Sequence, residues 1–184
     1  MSVYDDDNRC RLVNLLAEIP SVTVPPGWNF IATIAVGGLT EIGFSRITNH
    51  LLIISSSGRS VIDCTTGERL ARDYEDDGDW YNAHELTCQG IGPISNETVT
   101  IAGLCGGGLP LANQYGETLE RTAQNWPIEE LYFCQLNSSP FTARFQAGCY
   151  HISSGYITCC GFSWNGEFIV MATSSDVTIW NRHL

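Results

Sequence analysis

The sequence predicts a mainly β fold of antiparallel meander sheets, with an N-terminal helix and one further short helix. Three observations favour this fold class. Apolar residues recur at helical spacing near the N-terminus. From residue 28 onwards, short runs rich in β-branched and aromatic residues are separated by glycine, asparagine and serine turns. Asn165-Gly166, which strongly favours a two-residue hairpin turn, stands between two of these runs.

The N-terminal helix is predicted over residues 5–19. Its acidic start, Asp5 to Asp7, suits the positive end of a helix dipole, and Pro20 ends the helix. These three acids therefore have a structural explanation. Four apolar residues form one stripe at helical spacing: Leu12, Leu15, Leu16 and Ile19.

A β-rich body over about 28–182 follows, and with the helix it makes one domain, 1–184. Residues 117–126 are predicted as the second, short helix, because Leu119, Ala123 and Trp126 recur at helical spacing. For residues 130–136 a strand is favoured over a helix. The other strands are predicted over 28–36, 41–47, 51–55, 60–64, 69–74, 85–92, 98–104, 155–164, 167–173 and 177–180.

Two segments of the body, 43–63 and 161–181, resemble each other. Each begins with Gly-Phe-Ser and continues with a turn, an apolar strand, serine-rich residues and a last short strand. Both are similar to the later strands of a WD-type propeller blade. This resemblance implies propeller-like sheets, and it makes a propeller-like interaction module one candidate function.

The charge balance narrows the class of partner. The chain has 20 acidic residues and 9 basic ones, all arginine, for a net charge of −11. Binding to nucleic acid or to an anionic membrane needs clustered Lys and Arg, so both are disfavoured as direct partners. A basic protein or a cation remains open.

Eight cysteines occur in a chain without a basic, apolar secretory start. We therefore expect a cytoplasmic protein with reduced, mostly buried thiols and no cofactor. The local Cys/His cluster, Cys149, His151, Cys159 and Cys160, lacks the spacing of a zinc site. Adjacent Cys159 and Cys160 would also point to opposite faces of a strand. Core thiols are favoured over zinc.

The segment 73–81 is the most unusual part of the sequence, with five acids in residues 73–79 followed directly by Trp80 and Tyr81. It is predicted to bind a partner because acids steer a basic protein and aromatic side chains anchor it. A solvated connector is the simplest alternative. Calcium is another, although His84 stands where an EF-hand loop needs glutamate. The predicted partner-binding residues are Asp73, Glu75, Asp76, Asp77, Asp79, Trp80 and Tyr81.

No sequence motif assigns a catalytic residue. The chain has neither a nucleophile elbow nor a phosphate-binding glycine loop with its lysine. A hydrolase using Cys, His or carboxylate groups stays an alternative, whose test is whether Cys149, His151 and Cys160 share a pocket.

In overall profile, the chain resembles the immunity proteins encoded beside bacterial toxins of contact-dependent and polymorphic systems. The shared features are small size, strong acidity, a β-rich fold and the lack of a catalytic motif, not a diagnostic sequence. The resemblance implies a non-enzymatic cytoplasmic protein that binds and neutralises a basic cognate toxin, typically a nuclease, by covering its active site. It assigns no residue to that role.

Overall fold

The computed structural model of the chain describes residues 3–75 and 78–182. The fold is mainly β and antiparallel with an N-terminal helix, as predicted. Helix α1 spans Val3–Ala17, and 3-10 turns span Gly92–Ile94 and Ala143–Phe145. The strands are β1 Trp28–Ala35, β2 Leu39–Phe44, β3 His50–Ser55, β4 Gly58–Asp63, β5 Arg69–Asp73, β6 Tyr81–Asn82, β7 Thr87–Gln89, β8 Thr98–Thr100, β9 Ala102–Gly103, β10 Thr118–Asn125, β11 Ile128–Cys134, β12 Cys149–Gly155, β13 Ile157–Phe162, β14 Phe168–Thr173 and β15 Asp176–Arg182.

The chain forms two compact units. The first contains Met1–Pro26 and Leu111–Tyr156, and the second contains Gly27–Pro110 and Ile157–Leu184. Among the described residues, no helix has the length and apolar character needed to cross a bilayer.

In the first unit, α1 packs on the three-stranded sheet β10-β11-β12. The apolar stripe predicted for the helix supplies Leu12, Leu16 and Ile19 to this core. They pack against three buried sheet residues: Tyr132, Cys134 and Cys149. The helix is also tied to the sheet by Arg9, whose Nε and Nη2 donate to the Gln124 carbonyl at 3.1 and 2.8 Å.

The short helix predicted over 117–126 is wrong, because these residues form strand β10. Leu119 is buried, but Ala123 and Trp126 are exposed, so the helical spacing of these residues does not mark a buried face. The buried residues of β10 are instead Leu119, Thr122 and Gln124, and β11 pairs with β10 in an antiparallel hairpin. Pro127 also prevents a helix from continuing. The strand favoured over 130–136 is confirmed by β11.

The second unit contains three sheets, with strand orders β1-β15-β14-β13, β5-β4-β3-β2-β9 and β6-β7-β8. The five-stranded sheet is apolar on both faces. Leu51 and Ile53 pack in a cluster with residues of the four-stranded sheet, such as Val170. Leu52 and Ile54 pack in a second cluster with residues of the three-stranded sheet. This double burial explains the continuous aliphatic run in β3.

The two similar segments fold with the same strand register, 118 positions apart. Even the irregularity in the first strand recurs, between Leu39 and Glu41 and between Ile157 and Cys159. In the first copy, Leu39 pairs with Ser55, Phe44 with Leu51, and His50 with Asp63. The equivalent pairs of the second copy are Ile157 with Thr173, Phe162 with Ile169, and Phe168 with Asn181. The outer strand is β5 in the first copy and β1 in the second.

The glycine that opens each Gly-Phe-Ser motif should be required for close packing. A Cβ at Gly43 would overlap the Thr100 carbonyl oxygen, and one at Gly161 would overlap the Leu109 side chain. We expect Gly43→Ala and Gly161→Ala each to lower the free energy of unfolding by about 1–3 kcal/mol in urea denaturation. Gly37→Ala is the control, since a Cβ there meets nothing within 4 Å. A similar loss in all three variants would contradict the packing argument.

Candidate functional site

The structure divides the predicted partner-binding residues into packed and exposed ones. Asp73 ends strand β5 and is half-buried, as are Trp80 and Tyr81. Glu75 and Asp79 are exposed. Asp76 and Asp77 lie outside the described residues. The most exposed aromatic residue of this region is one that was not predicted to bind: Tyr74, at 74% exposure.

Asp73 is ion-paired with a buried arginine of strand β4. Arg59 is only 5% exposed, and its Nη2 pairs with Asp73 Oδ2. Its Nη1 donates to the Gln89 carbonyl at 2.8 Å, and its guanidinium lies 4.3 Å from the centre of the Trp80 ring. The Glu75 backbone N–H donates to Asp73 Oδ1 at 2.9 Å and, with Arg59, lowers the pKa of the Asp73 carboxyl. The charge of Asp73 is therefore neutralised within the unit.

A second acid, Glu41 of strand β2, is buried on the same sheet. It is 3% exposed, and the Cys105 backbone N–H donates to its Oε1 at 3.2 Å. Glu41 is paired in register with Ile54, Ile54 with Arg59, and Arg59 with Asp73. Residues opposite one another on neighbouring strands share a sheet face, so these four form one row. Within the described residues, Glu41 has no arginine or histidine within ion-pair distance.

The second structural copy shows that the fold does not require charge in this row. At the same register, that copy has Cys159, Ala172, Val177 and Ile34. The first three belong to the apolar cluster between the four-stranded and five-stranded sheets, and Ile34 packs against it. Glu41, Arg59 and Asp73 thus occupy positions that an apolar row fills on an equivalent scaffold. Burying charged groups is unfavourable unless they are paired, so a charged row that the fold does not need is a functional-site candidate.

A pocket of about 360 Å³ opens beside this row. Glu41 supplies its carboxylate, and Trp80 and Tyr81 supply aromatic surface. Burial raises the pKa of the Tyr81 hydroxyl, and so do its hydrogen-bonding and charge interactions with Cys105 and Glu41. Among the described residues, the buried Trp80 Nε1 has no hydrogen-bond acceptor. The lining residues are Thr40, Glu41, Ile54, Ser55, Gly78, Trp80 and Tyr81.

Four buried thiols show no sign of activation as nucleophiles. Burial is the main cause that raises the pKa of Cys64, Cys134 and Cys149, and it raises that of Cys88 to about 11. A catalytic thiol needs a lowered pKa, because the thiolate is the nucleophile. Across residues 7–75 and 78–182, whose side chains are described, no three His, Cys, Asp or Glu side chains are arranged to hold a metal ion.

The residues named for the hydrolase alternative do not all fall in one unit. Cys149 and His151 belong to the first unit, and Cys160 belongs to the second. The polar contact of the His151 ring is between Nδ1 and Ser21 Oγ, at 3.1 Å, while the buried Nε2 has no partner among the described residues.

The first unit has a larger, open pocket of about 750 Å³ that the sequence did not indicate. It lies beside α1 and the β10–β11 hairpin, where Trp126 is 77% exposed. Its two arginines already have partners: Arg9 donates to the Gln124 carbonyl, and Arg121 pairs with Glu129. The buried polar side chains that line it, Thr122 and Gln124, hydrogen-bond to each other, so the Glu41 pocket is the better-defined site.

Comparison of the chain with protein-family models, with curated proteins and with solved structures finds no match. The assignment of a function therefore depends on the residues of this chain.

Sequence reasoning missed Glu41 and Arg59. The signal was present in the two similar segments, because Glu41 aligns with Cys159, and Arg59 with Val177. A residue-by-residue comparison of these segments marks both charges as departures from an apolar pattern.

A pair of apolar residues should be able to replace the Arg59–Asp73 ion pair in this row. Asp73→Asn leaves the buried Arg59 charge without its counter-ion, and we expect a loss of about 2–3 kcal/mol in the free energy of unfolding. The double variant Arg59→Val/Asp73→Ile copies Val177 and Ile34 of the second copy, so it should lose less. Urea denaturation measures both. A double variant that is less stable than Asp73→Asn would contradict the equivalence of the rows.

The same pair should contribute to stability at neutral pH and lose its contribution in acid. Because the pKa of folded Asp73 lies below its unfolded value of about 3.9, its contribution is present above that value and is lost as the pH falls through the folded pKa. The stability difference between wild type and Asp73→Asn should be constant above about pH 5 and shrink below about pH 4. Denaturation at a series of pH values measures it, and a difference that does not change with pH would contradict the assignment.

Proposed function

We propose that the protein is a non-enzymatic acidic binding protein that takes a basic protein partner on its acidic connector, residues 74–79. The observation that supports this most is the exposure of Glu75 and Asp79 beside Tyr74. Acids at the surface attract a basic partner over a distance, and an exposed tyrosine supplies the contact area of an interface anchor.

The arrangement of charge around the connector supports the same partner. The connector contains four acids: Glu75, Asp76, Asp77 and Asp79. Arg72 is beside it, but its Nη2 donates to the Ser57 carbonyl at 2.8 Å, and its guanidinium lies 4.9 Å from the Tyr74 ring. One arginine does not balance four acids, so the connector keeps an excess of negative charge.

In this proposal the partner is a cognate toxin, a nuclease, and the protein is its cytoplasmic immunity protein. A nuclease binds phosphates through clustered Lys and Arg side chains, so its active-site cleft is basic. A strongly acidic protein is complementary to that cleft, and by covering it would exclude the nucleic acid. The resemblance in overall profile to bacterial immunity proteins supports this partner over other basic proteins.

Two alternatives each have one supporting observation. The contact between Ser21 Oγ and His151 Nδ1 is a nucleophile–base pair of the kind that a hydrolase uses, but the described residues include no carboxylate hydrogen-bonded to the other ring nitrogen. The two structural copies favour a propeller-like interaction module. Such a module would also be a binding protein, but its partner would differ from the basic toxin proposed above.

The proposal is tested by recovering the partner and measuring what the connector contributes. The tagged protein, used as bait in an extract of its native host, should retain a basic protein whose nuclease activity it suppresses at equal molar amounts. For the purified pair, Glu75→Gln/Asp79→Asn should weaken binding roughly 3–10-fold at low salt, mainly through the association rate, and reduce its salt dependence.

The matched control is Glu18→Gln/Glu68→Gln, which removes the same charge from two other exposed acids. It should change affinity little. Recovery of no partner with nuclease activity would contradict the toxin assignment, and equal effects of the two double variants would contradict the role of the connector.

A further inference from the structure

We infer that the pocket beside Glu41 receives a lysine or arginine side chain of the basic partner. This inference rests on the proposed function, because it names the group by which the partner would be anchored. Three observations carry it: a buried carboxylate without a cation, a cavity that this carboxylate lines, and an equivalent position in the second copy where the acid is absent.

The first observation concerns the charge of Glu41. A carboxylate can accept about four hydrogen bonds; the Cys105 N–H donates one to Glu41, and the Tyr81 hydroxyl is a second hydrogen-bonding neighbour, but neither carries a positive charge. The nearest buried cation by register, Arg59, pairs with Asp73 and donates to the Gln89 carbonyl. Buried carboxylates are normally paired, because ionised groups are poorly solvated in the interior. A cation brought by a ligand would supply the missing partner.

The second observation concerns the shape and lining of the cavity. Its volume of about 360 Å³ is near the lower end of the range for ligand sites, about 300–1,000 Å³, which suits one long side chain. Trp80 and Tyr81 line it, and aromatic rings attract ammonium and guanidinium groups. Glu41 then meets the charged end of the side chain, while Ile54 and the rings contact its methylene groups.

The third observation is the contrast between the two copies. Cys159 holds the register position of Glu41 in the second copy and packs among apolar residues. The acid in the first copy is therefore not a requirement of the strand. Trp80 also links this pocket to the proposed interface, since it lines the cavity and follows directly after the acidic connector.

A lysine in the pocket must come from another protein, because this sequence contains no lysine. An arginine could also come from a second copy. The two cations differ in geometry: lysine presents a point charge, and arginine presents a planar fork. The experiment therefore tests them separately.

The pocket can be tested without the partner, using the full-length protein and single capped amino acids. N-acetyl-lysine methylamide and N-acetyl-arginine methylamide are titrated in turn, with N-acetyl-norleucine methylamide as the uncharged probe. Binding is followed by NMR through the Trp80 indole N–H signal, assigned with Trp80→Phe. We expect saturable binding of one or both cations with a dissociation constant on the order of 1 mM, typical of so small a ligand.

Glu41→Gln should weaken this binding at least tenfold. Glu41→Cys, which copies Cys159, gives a second variant should the glutamine not fold, and Glu18→Gln/Glu68→Gln should bind as wild type does. Preference for lysine or for arginine identifies the cation. Equal binding of norleucine, no saturable shift with either cation, or an unchanged affinity in folded Glu41 variants would overturn the inference.

These outcomes are distinct from those of the proposed function. If neither cation binds, the inference about the pocket is wrong, while the proposal that a partner binds the connector still stands. Conversely, if a cation binds but no nuclease is recovered, the inference about the pocket stands and the assignment of a toxin partner is wrong. A dimer of this chain that dissociates in Glu41→Gln would place an arginine of the second copy in the pocket, and would also overturn the inference.

Discussion

The buried guanidinium of Arg59 is the contact on which the candidate site depends. It holds Asp73, at the end of β5, and lies against the ring of Trp80, which follows the acidic connector. Both ends of the connector are therefore attached to one side chain of the five-stranded sheet. Because like charges repel, a run of acids as dense as that of the connector favours an exposed segment. Arg59 thus fixes where the connector leaves the five-stranded sheet and where it ends at Trp80, directly before β6 of the three-stranded sheet, and Glu75 and Asp79 are exposed between those points.

Much of the fold could be predicted because its pattern is local. Aliphatic runs such as 51–54 and the Asn165-Gly166 turn indicate strands and hairpins from neighbouring residues. Strand β10 could not be predicted this way: Leu119, Ala123 and Trp126 fit helical spacing, yet strand pairing with β11 sets which residues are buried. The two strands form a hairpin around Trp126-Pro127, which lacks the Asn-Gly turn signal seen at Asn165-Gly166, so the local sequence gives little indication of the pairing. The repeat could be seen in the sequence, but its shared register required the structure.

The candidate site was predicted in part, for a similar reason. Acids close together in sequence indicate an exposed segment, and Glu75 and Asp79 are exposed. The sequence does not show which of three neighbouring aromatic residues points outwards, since that depends on what packs against them. Tyr74 is exposed, whereas Trp80 and Tyr81 pack over the charged row. Glu41 was missed because a single acid within an apolar strand forms no motif. Its significance emerges by comparison with the second copy, which has Cys159 at the same position.

The two copies provide a comparison within one molecule. The same strand register, the same Gly-Phe-Ser strand end and a similar burial pattern occur twice, so the apolar row of the second copy shows what this scaffold needs in order to fold. The charged row of the first copy goes beyond that need. Arg59 and Asp73 compensate each other, so their burial is explained by the position they give the connector. Glu41 has hydrogen-bonding neighbours in Cys105 and Tyr81 but no counter-ion among the described residues. A buried acid that lines a cavity without a counter-ion is more easily explained by a cation that arrives with a partner than by any requirement of the fold.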